Sequence, residues 1–432
     1  MVLDTSLPVL IVGAGPVGLL TALTLHMRGV SVQLIERRLD RSCASRASTF
    51  QPPVLDLLDV LGLLNELEPL GQRVDRIASW NLDCDECQEV SLAILSGLTN
   101  HPYRLHLEQK YLVSVLERLL EALAPGCLFR GIEVIACDQA GLMANTTTAM
   151  VHGRDVNGNL RSFVGSWVVA ADGAHSRLRQ SAALPFLGHD EVAPVVRLFL
   201  PSVPYLLAQK LAPVTYVRRG DRSLSFLQML NGWRVILRPF PEEVDSALAC
   251  PPMDLEAQLP PASQWSKALL RQVLDDEISH ELWMDEGVLQ DHYLIRQRMV
   301  EKNLIGRLLL IGDAAHVTNT RGGLNMNFGL LEGYALADAL SRWWDNTHDQ
   351  NDCIDVDPNG GTYVRAWSER WQERIANVLM PRTACMRGVG TLFDLISTSS
   401  SVGNDENLFK LKETMISATL LDMVQTDELI DD

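Results

Sequence analysis

Gly13, Gly15 and Gly18 follow the apolar run Val9 to Val12 in the spacing Gly-x-Gly-x-x-Gly and open a stretch patterned as a helix, Val17 to Arg28. Each glycine has a task in holding a dinucleotide: Gly13 allows the tight turn, Gly15 lets the backbone approach a pyrophosphate, and Gly18 lets helix and strand pack closely. The helix N-terminus adds unpaired amides and the positive end of the peptide dipoles. Glu36 follows Gly18 by 18 residues and ends a second strand, Val30 to Glu36, where a carboxylate can accept bonds from ribose hydroxyls. Gly29, between helix and strand, suits a left-handed helix cap.

Two further strand ends carry polar motifs. The buried run Trp167 to Ala171 leads into Asp172-Gly173-Ala174-His175-Ser176-Arg177, and Leu308 to Ile311 leads into Gly312-Asp313-Ala314-Ala315-His316. Taken singly, Asp172 and Asp313 could simply cap turns. His175 and His316 invite a general-base reading, but motif histidines more often satisfy backbone groups.

In this order, with the N-terminal fingerprint, the motifs resemble those of the single-component FAD-dependent aromatic hydroxylases built like p-hydroxybenzoate hydroxylase, across Pro8 to Leu340. The resemblance implies that Gly13, Gly15, Pro16, Gly18, Glu36 and Arg37 form the ADP side of an FAD site. It further implies that Arg46 lies near the phosphates, Gln109 packs along the flavin, and Asp313 with Gly312 binds the ribityl or pyrophosphate region. Asp172 matches an aspartate linked to both FAD and nicotinamide binding. Gly323, Leu324 and Asn325 match residues against the isoalloxazine ring. The activity implied is hydroxylation of a phenolic or otherwise electron-rich aromatic ring with NADH or NADPH as transient reductant and a flavin C4a-hydroperoxide as oxygen donor.

The chain also departs from that pattern. Where many members have Pro-Pro and Gly-Gly-Gln-Gly-Met-Asn, it has Asn319-Thr320-Arg321 and Gly322-Gly323-Leu324-Asn325-Met326-Asn327. Asn325 in place of glycine alters the approach to the flavin's N1–O2 edge. Epoxidation, N-oxidation or Baeyer–Villiger insertion therefore stand as related alternatives, beside a flavin reductase and, in another class, a degenerate FAD-binding protein with an interaction role. No second strand-linked Gly-x-Gly-x-x-Gly follows, so NAD(P)H would dock transiently. Cys43 has no nearby cysteine for a disulfide-reductase pair, and no tryptophan is followed two residues later by another, as halogenases require.

The elements needed to position these groups read as α/β: a Rossmann-like FAD-binding domain interrupted by a sheet-rich substrate domain, with C-terminal helices. FAD-binding parts are expected at 1–73, 104–185 and 295–345, substrate-domain parts at 74–103 and 186–294, and a helical region at 346–432. Helices are expected at Pro53 to Leu67, with Leu55, Leu58, Leu61 and Leu64 on one buried face, and at Glu108 to Leu123. Further helix is expected before Leu274 and over Tyr363 to Ile396, with a Pro-rich loop at Pro251 to Gln264. Strand patterning occupies Val74 to Leu95 and Val195 to Phe240, where Asn231-Gly232 signals a hairpin. In that second domain Trp80, Tyr216, Phe226, Met229 and Trp233 are candidates to line an aromatic pocket, and Tyr216 and His292 are candidates to bind or deprotonate a phenol. Arg218, Arg219 and Arg222 could clamp an acidic substrate but read more simply as a solvated turn.

The chain has 432 residues, 47% apolar and 21% charged, enough for two or three domains with large cores. A net charge of −17 repels phosphate backbones and anionic lipid, which argues against nucleic-acid partners. Eight cysteines are too sparse for a disulfide scaffold, and Cys84-x-x-Cys87 lacks a second pair, so no metal is expected. Met1 to Pro8 shows no secretory pattern, and no run nears the roughly 18 apolar residues of a spanning helix. A cytoplasmic protein acting on a small aromatic compound and molecular oxygen is the expectation.

Overall fold

The computed structural model describes residues 7–41, 47–138, 140–143, 147–240, 264–275, 282, 288–348, 361–385, 412 and 415. Its first layer is a six-stranded sheet in the order Leu304–Ile305, Leu308–Leu310, Trp167–Ala170, Val9–Val12, Val32–Glu36 and Leu128–Arg130. Only the Leu304–Ile305 edge runs antiparallel to its neighbour. Val9–Val12 and Trp167–Ala170 are buried at every position because both faces are covered. Val9, Ile11 and Val169 face a helical layer, and Leu10, Val12, Val168 and Ala170 face a three-stranded meander of Ile132–Cys137, Ala149–Asp155 and Leu160–Gly165.

Val12 pairs with Ala170, and Ala170 with Leu310, so the three motif loops leave the same sheet edge side by side. The fingerprint helix Pro16–Met27 lies against the long helix Leu324–His348. That contact depends on small residues: a Cβ on Gly333 would meet Thr21 Oγ1 at 2.4 Å, and one on Gly329 would meet Val17 Cγ2 at 3.0 Å. Gly29 ends the fingerprint helix at φ +80°, with its amide donating to His26 O at 2.9 Å.

The helix expected over Pro53 to Leu67 is instead two. Pro52–Val60 stops at Gly62, whose φ of +69° and amide bond to Asp59 O close the first segment before Leu64–Leu67 begins. Leu55, Leu58 and Leu64 are buried as expected, but Leu61 falls in the break and is only partly covered.

The second layer is an eight-stranded sheet in the order His316–Val317, Leu289–Val300, Phe186–Leu200, Gly232–Leu237, Arg222–Met229, Val214–Arg219, Arg76–Asn81 and Glu86–Ser91. It is antiparallel except where Val214–Arg219 meets Arg76–Asn81. Leu289–Val300 runs past the expected border at 294, and the short strand after Asp313 joins the same sheet. The hairpin at Asn231-Gly232 forms one residue out of step: Gly232 pairs with Met229, leaving Leu230 and Asn231 as the loop. Glycine is required there because a Cβ at its φ of +128° would sit 2.3 Å from Leu200 O.

Gln264–Arg271 forms the expected helix, and most of the Pro-rich stretch before it lies outside the described residues. Gly361–Arg374 continues through a π-turn at Ile375–Leu379 into Met380–Cys385. Trp367, Trp371 and Leu379 share the core of the six-stranded layer. The rest of the helix expected to reach Ile396 lies outside the described residues. No helix among the described residues is long and apolar enough to cross a membrane.

Candidate active site

Protein atoms fill the space beside two fingerprint glycines and leave it open beside the third. A Cβ on Gly13, at φ +107°, would lie 2.3 Å from Ala171 O, and one on Gly18 would lie 2.0 Å from Gly13 O. A Cβ on Gly15 would meet nothing within 4 Å. Gly15 is the N-cap of the fingerprint helix and Pro16 its first residue, so the helix amides face that open side. The Glu36 carboxylate is held beside it, accepting from Ala14 N at 2.7 Å and Arg38 N at 3.0 Å. This cradle fits the ADP half of a dinucleotide. Arg37 is exposed at the end of the second strand, and Arg46 lies outside the described residues.

Asp172 sits directly behind Gly13, with its Cα 3.0 Å from the position a Gly13 Cβ would take. Its Oδ2 accepts from Arg177 N at 2.8 Å and Leu178 N at 3.3 Å, while Oδ1 is buried without a hydrogen-bond partner. Burial pushes the carboxyl above its usual pKa, against the opposing pull of the Ser176 hydroxyl and of those amides. Asp172 therefore caps the turn and also leaves one acceptor at the fingerprint loop. The sequence reading missed Arg179, which ties the second motif to the third. Its guanidinium donates to Ala174 O at 2.7 Å and Ala314 O at 2.9 Å and stacks 3.8 Å from the Phe186 ring centroid. A charged residue three positions past the capping Ser176 was the available signal.

The third motif is built around a buried chain of bonds. Gly312, at φ +56°, donates its amide to Glu332 Oε2 at 2.8 Å. The same oxygen accepts from His316 Nε2 at 3.1 Å, and His316 Nδ1 donates to Asn325 Oδ1 at 2.8 Å. Asn325 Nδ2 donates in turn to Asp313 Oδ1 at 2.8 Å and His316 O at 3.3 Å. Asn325, the departure from glycine, thus orients the exposed Asp313 carboxylate from behind. Burial opposes charge on His316, but Glu332 overcomes it and raises the imidazole's pKa. His316 is accordingly a buried structural group, whereas His175 is exposed and bonds Arg296 at 3.3 Å.

The glycine loop before the long helix is fixed by Asn327, whose Nδ2 donates to Thr49 O and Gly323 O and whose Oδ1 accepts from Gln51 N. Gly323 holds φ +65° with Thr49 close by, and Leu324 is fully buried. Gln109 opens the helix Gln109–Leu123, with its amide bonded to Ala47 O, and its side chain is half-buried.

Strand alternation divides the pocket candidates between two faces. Trp80, Phe226 and Trp233 point away from the cofactor layer into a separate core with Leu269 and Leu270. Trp80 and Phe226 are buried there, and Phe226 meets Trp233 edge-on at 6.3 Å. These three belong to that core and do not line a cleft toward the glycine loops. His292 pairs with Val196 and shares its side of the sheet, so it is on the opposite face from Tyr216. Tyr216 and Met229 lie on the inner face, because Tyr216 pairs with Ser225 and Met229 is four residues further along that strand.

The inner face also carries groups that the sequence left unassigned. Arg197 forms a two-point bond with Asp291, with Nε to Oδ1 at 2.7 Å, and its guanidinium lies 5.0 Å from the Tyr293 ring centroid. Arg234 donates to Glu108 Oε1 at 2.8 Å, and Arg104 hydrogen-bonds Tyr216. The Tyr293 hydroxyl is 2.8 Å from Thr320 Oγ1, joining this face to the loop after Asp313. His106 shares a 2.7 Å bond with Gln228 O, and burial pushes its pKa down to about 4. Arg218 belongs to this face, not to a solvated turn as expected, whereas Arg219 bonds Asp275 and Arg222 lies over Phe240. Cys84 and Cys87 are exposed free thiols at the Arg76–Asn81/Glu86–Ser91 hairpin.

Two glycine-led loops at one sheet edge, joined to the inner side of a second sheet by Tyr293 and Thr320, define a dinucleotide-binding fold with a second sheet beside the site. The FAD binding domain family model matches residues 6–351, and the chain belongs to that family, within its FAD-dependent aromatic monooxygenases. It is 30% identical over 343 residues to 6-hydroxy-3-succinoylpyridine 3-monooxygenase HspB of Pseudomonas putida (strain DSM 28022 / S16), covering 77% of this chain and 79% of that one. It is 28% identical over 341 residues to para-nitrophenol 4-monooxygenase of Pseudomonas sp. (strain WBC-3), covering 77% of each. The crystal structure of p-nitrophenol 4-monooxygenase PnpA from Pseudomonas putida DLL-E4 superposes with a TM-score of 0.72 at 22% identity, over 98% of both chains, and so shares the fold.

Proposed function

We propose that this protein hydroxylates a phenolic aromatic ring, using FAD, molecular oxygen and a hydride from NADH or NADPH. The observation that carries the reading is the 2.8 Å contact between Tyr293 and Thr320, which closes a tyrosine- and arginine-lined sheet face onto the loop that follows Asp313. The two monooxygenases above are named for para-nitrophenol and for a hydroxylated pyridine, both rings bearing a hydroxyl that donates electron density once ionised.

In this reading Gly13, Gly15, Pro16, Gly18 and Glu36 bind the ADP portion. Asp172 and Gln109 approach the cofactor from neighbouring strand and helix ends, and Gly312, Asp313, Gly323, Leu324 and Asn325 hold the ribityl and ring end. Bound FAD would supply acceptance of the hydride and delivery of one oxygen atom from O2 to the ring. The remaining work falls to the chain. The arginines of the inner face provide a positive field that favours the ionised hydroxyl of a phenol, and ionisation raises electron density on the ring. Tyr216, tied to Arg104, is the inner-face hydroxyl available to orient the ring.

Turnover under 18O2 with a panel of phenols tests the proposal. One labelled oxygen atom in the product, with one NAD(P)H consumed, is the expected result. Oxidation of NAD(P)H with product that carries no label from O2 would overturn it.

A further inference from the structure

Backbone pairing between Leu289–Val300 and His316–Val317 stops at Arg298 and Val317, yet the chain beyond is still held to that strand. Gln297 takes over with its side chain, whose Oε1 accepts from Asn319 N at 2.9 Å. Tyr293, on the same face of the strand, meets Thr320 beside it. Asn319 and Thr320 stand where the resembled pattern has Pro-Pro, and a proline at 319 would have no N–H to give. The loop that Asn319 opens is tight: Thr320 O accepts from Gly323 N at 3.2 Å, so Asn319 and Gly323 belong to one turn.

The other end of the Gln297 amide points away from that loop. Its Nε2 donates to Met380 O at 2.9 Å and to Thr383 Oγ1 at 2.8 Å, both on the helix Met380–Cys385. Thr383 is fully buried and its hydroxyl donates to Leu379 O at 2.8 Å, at the last residue of the π-turn. The amide cannot be reversed, because a turned group would set its NH2 against the Asn319 N–H and its oxygen against the Met380 carbonyl. Gln297 is buried, so both ends of the amide must be satisfied by protein, and the loop and the helix are held at a fixed separation by one side chain. Turns of π-helix are rare and frequent at functional sites. Here one leads directly into the carbonyl and hydroxyl that face Gln297.

We propose that Gln297 is a positioning residue: it clamps the loop from Asn319 to Gly323 onto the helix Met380–Cys385, so that the seating of this helix sets how closely the loop covers the ring end of FAD. The proposal rests on the placement of that ring end beside Gly323, Leu324 and Asn325. It adds to the site a group that acts through the loop and a helix that the glycine motifs do not include.

The test uses the full-length protein loaded with FAD and iodide as a quencher of flavin fluorescence, with the unfolding free energy from urea denaturation measured beside it. Gln297→Leu deletes both sets of bonds, Thr383→Val only one on the helix side, and Asn319→Pro only the one on the loop side. None of these changes net charge, so iodide meets the same field in each. We expect Gln297→Leu to steepen iodide quenching at least about twofold, the scale of losing one hydrogen bond of ordinary net strength. Asn319→Pro should match it. Thr383→Val should shift quenching in the same direction, Thr383→Ser should return it to the wild-type value, and Gln297→Leu with Thr383→Val should go no further than Gln297→Leu alone.

A lower unfolding free energy in Gln297→Leu with quenching unchanged would make the residue structural only and overturn the proposal, as would additive effects in the double variant. If Gln297→Leu does not fold, the two Thr383 variants and Asn319→Pro decide. Asn325→Gly reports the ring placement by itself. A change there with none in Gln297→Leu overturns the clamp, and no change in either overturns the ring placement and the clamp together. Quenching needs no turnover, so failure here leaves the 18O2 result intact, and failure of that result leaves the clamp testable.

Discussion

His316 and Glu332 meet at 3.1 Å, with neither side chain exposing any surface. Asn325 presents its carbonyl oxygen to His316 Nδ1 because its amide group is committed to Asp313, and Glu332 presents a carboxylate oxygen to Nε2. Both imidazole nitrogens must therefore donate, which makes the group an imidazolium paired with a carboxylate. The folded-state pKa is raised above 6.5, so the stabilisation is fully present below pH 6.5 and is lost as pH rises through the folded value. Glu332→Gln should cost about 3 kcal/mol or more near neutral pH and flatten this alkaline decline. Urea midpoints measured from pH 6.5 upward check it, and an unchanged slope would remove the pair as its source.

His106 gives the opposite sign. Its pKa falls from 6.5 unfolded to about 4 folded because burial, with Arg104 and Arg234 nearby, disfavours the charged form. The unfolded chain then binds more protons between those values, so stability drops as pH falls from 6.5 toward 4. The span corresponds to about 3 kcal/mol. His106→Gln should remove most of that slope in acid denaturation curves, at some cost in stability at pH 7.

Gly13 and Gly15 should separate folding from cofactor binding. Gly13→Ala forces a Cβ onto Ala171 O in a backbone region that disfavours alanine, and soluble protein should be largely lost. Gly15→Val places its Cβ in open space, so its unfolding free energy from urea denaturation should stay within about 0.5 kcal/mol of wild type while flavin retained on purification drops steeply. Retention of full flavin content by Gly15→Val would place the pyrophosphate elsewhere.

Asn325→Gly introduces the glycine that the resembled hydroxylase pattern would have there but frees Asp313 and leaves His316 Nδ1 without its acceptor. FAD affinity should fall about tenfold, as expected for losing hydrogen bonds to charged groups. Fluorescence titration of the apoprotein measures it. Asn325→Asp should fare worse than Gly, because it sets a second carboxylate against Asp313.

The cofactor half was legible because its chemistry needs particular residue types at fixed backbone positions: Gly13 must turn and Gly18 must admit a helix, and no other residue serves. The substrate half was not, because aromatic content does not say which face of a strand looks inward. Trp80, Phe226 and Trp233 advertise a pocket in the sequence, yet the period of two turns them into the outer core with Leu269. Arg197 and Arg234 resemble surface charge until strand pairing brings them inside. His316 could be read as a base because its partner Glu332 is 16 residues away on a helix, a distance at which sequence shows no contact.

Leu308–Leu310 belongs to the first sheet and His316–Val317 to the second, so Ile311 to Ala315 link the two with Asp313 at the middle, and Glu301 to Asn303 link them again between Val300 and Leu304. Any rocking of one sheet against the other is shared among such links, and Gly312, at φ +56°, is the most pliant backbone position of the one that carries Asp313. The second sheet and the Asp313 carboxylate are thereby mechanically joined through a few residues of backbone, so a shift in one is felt by the other.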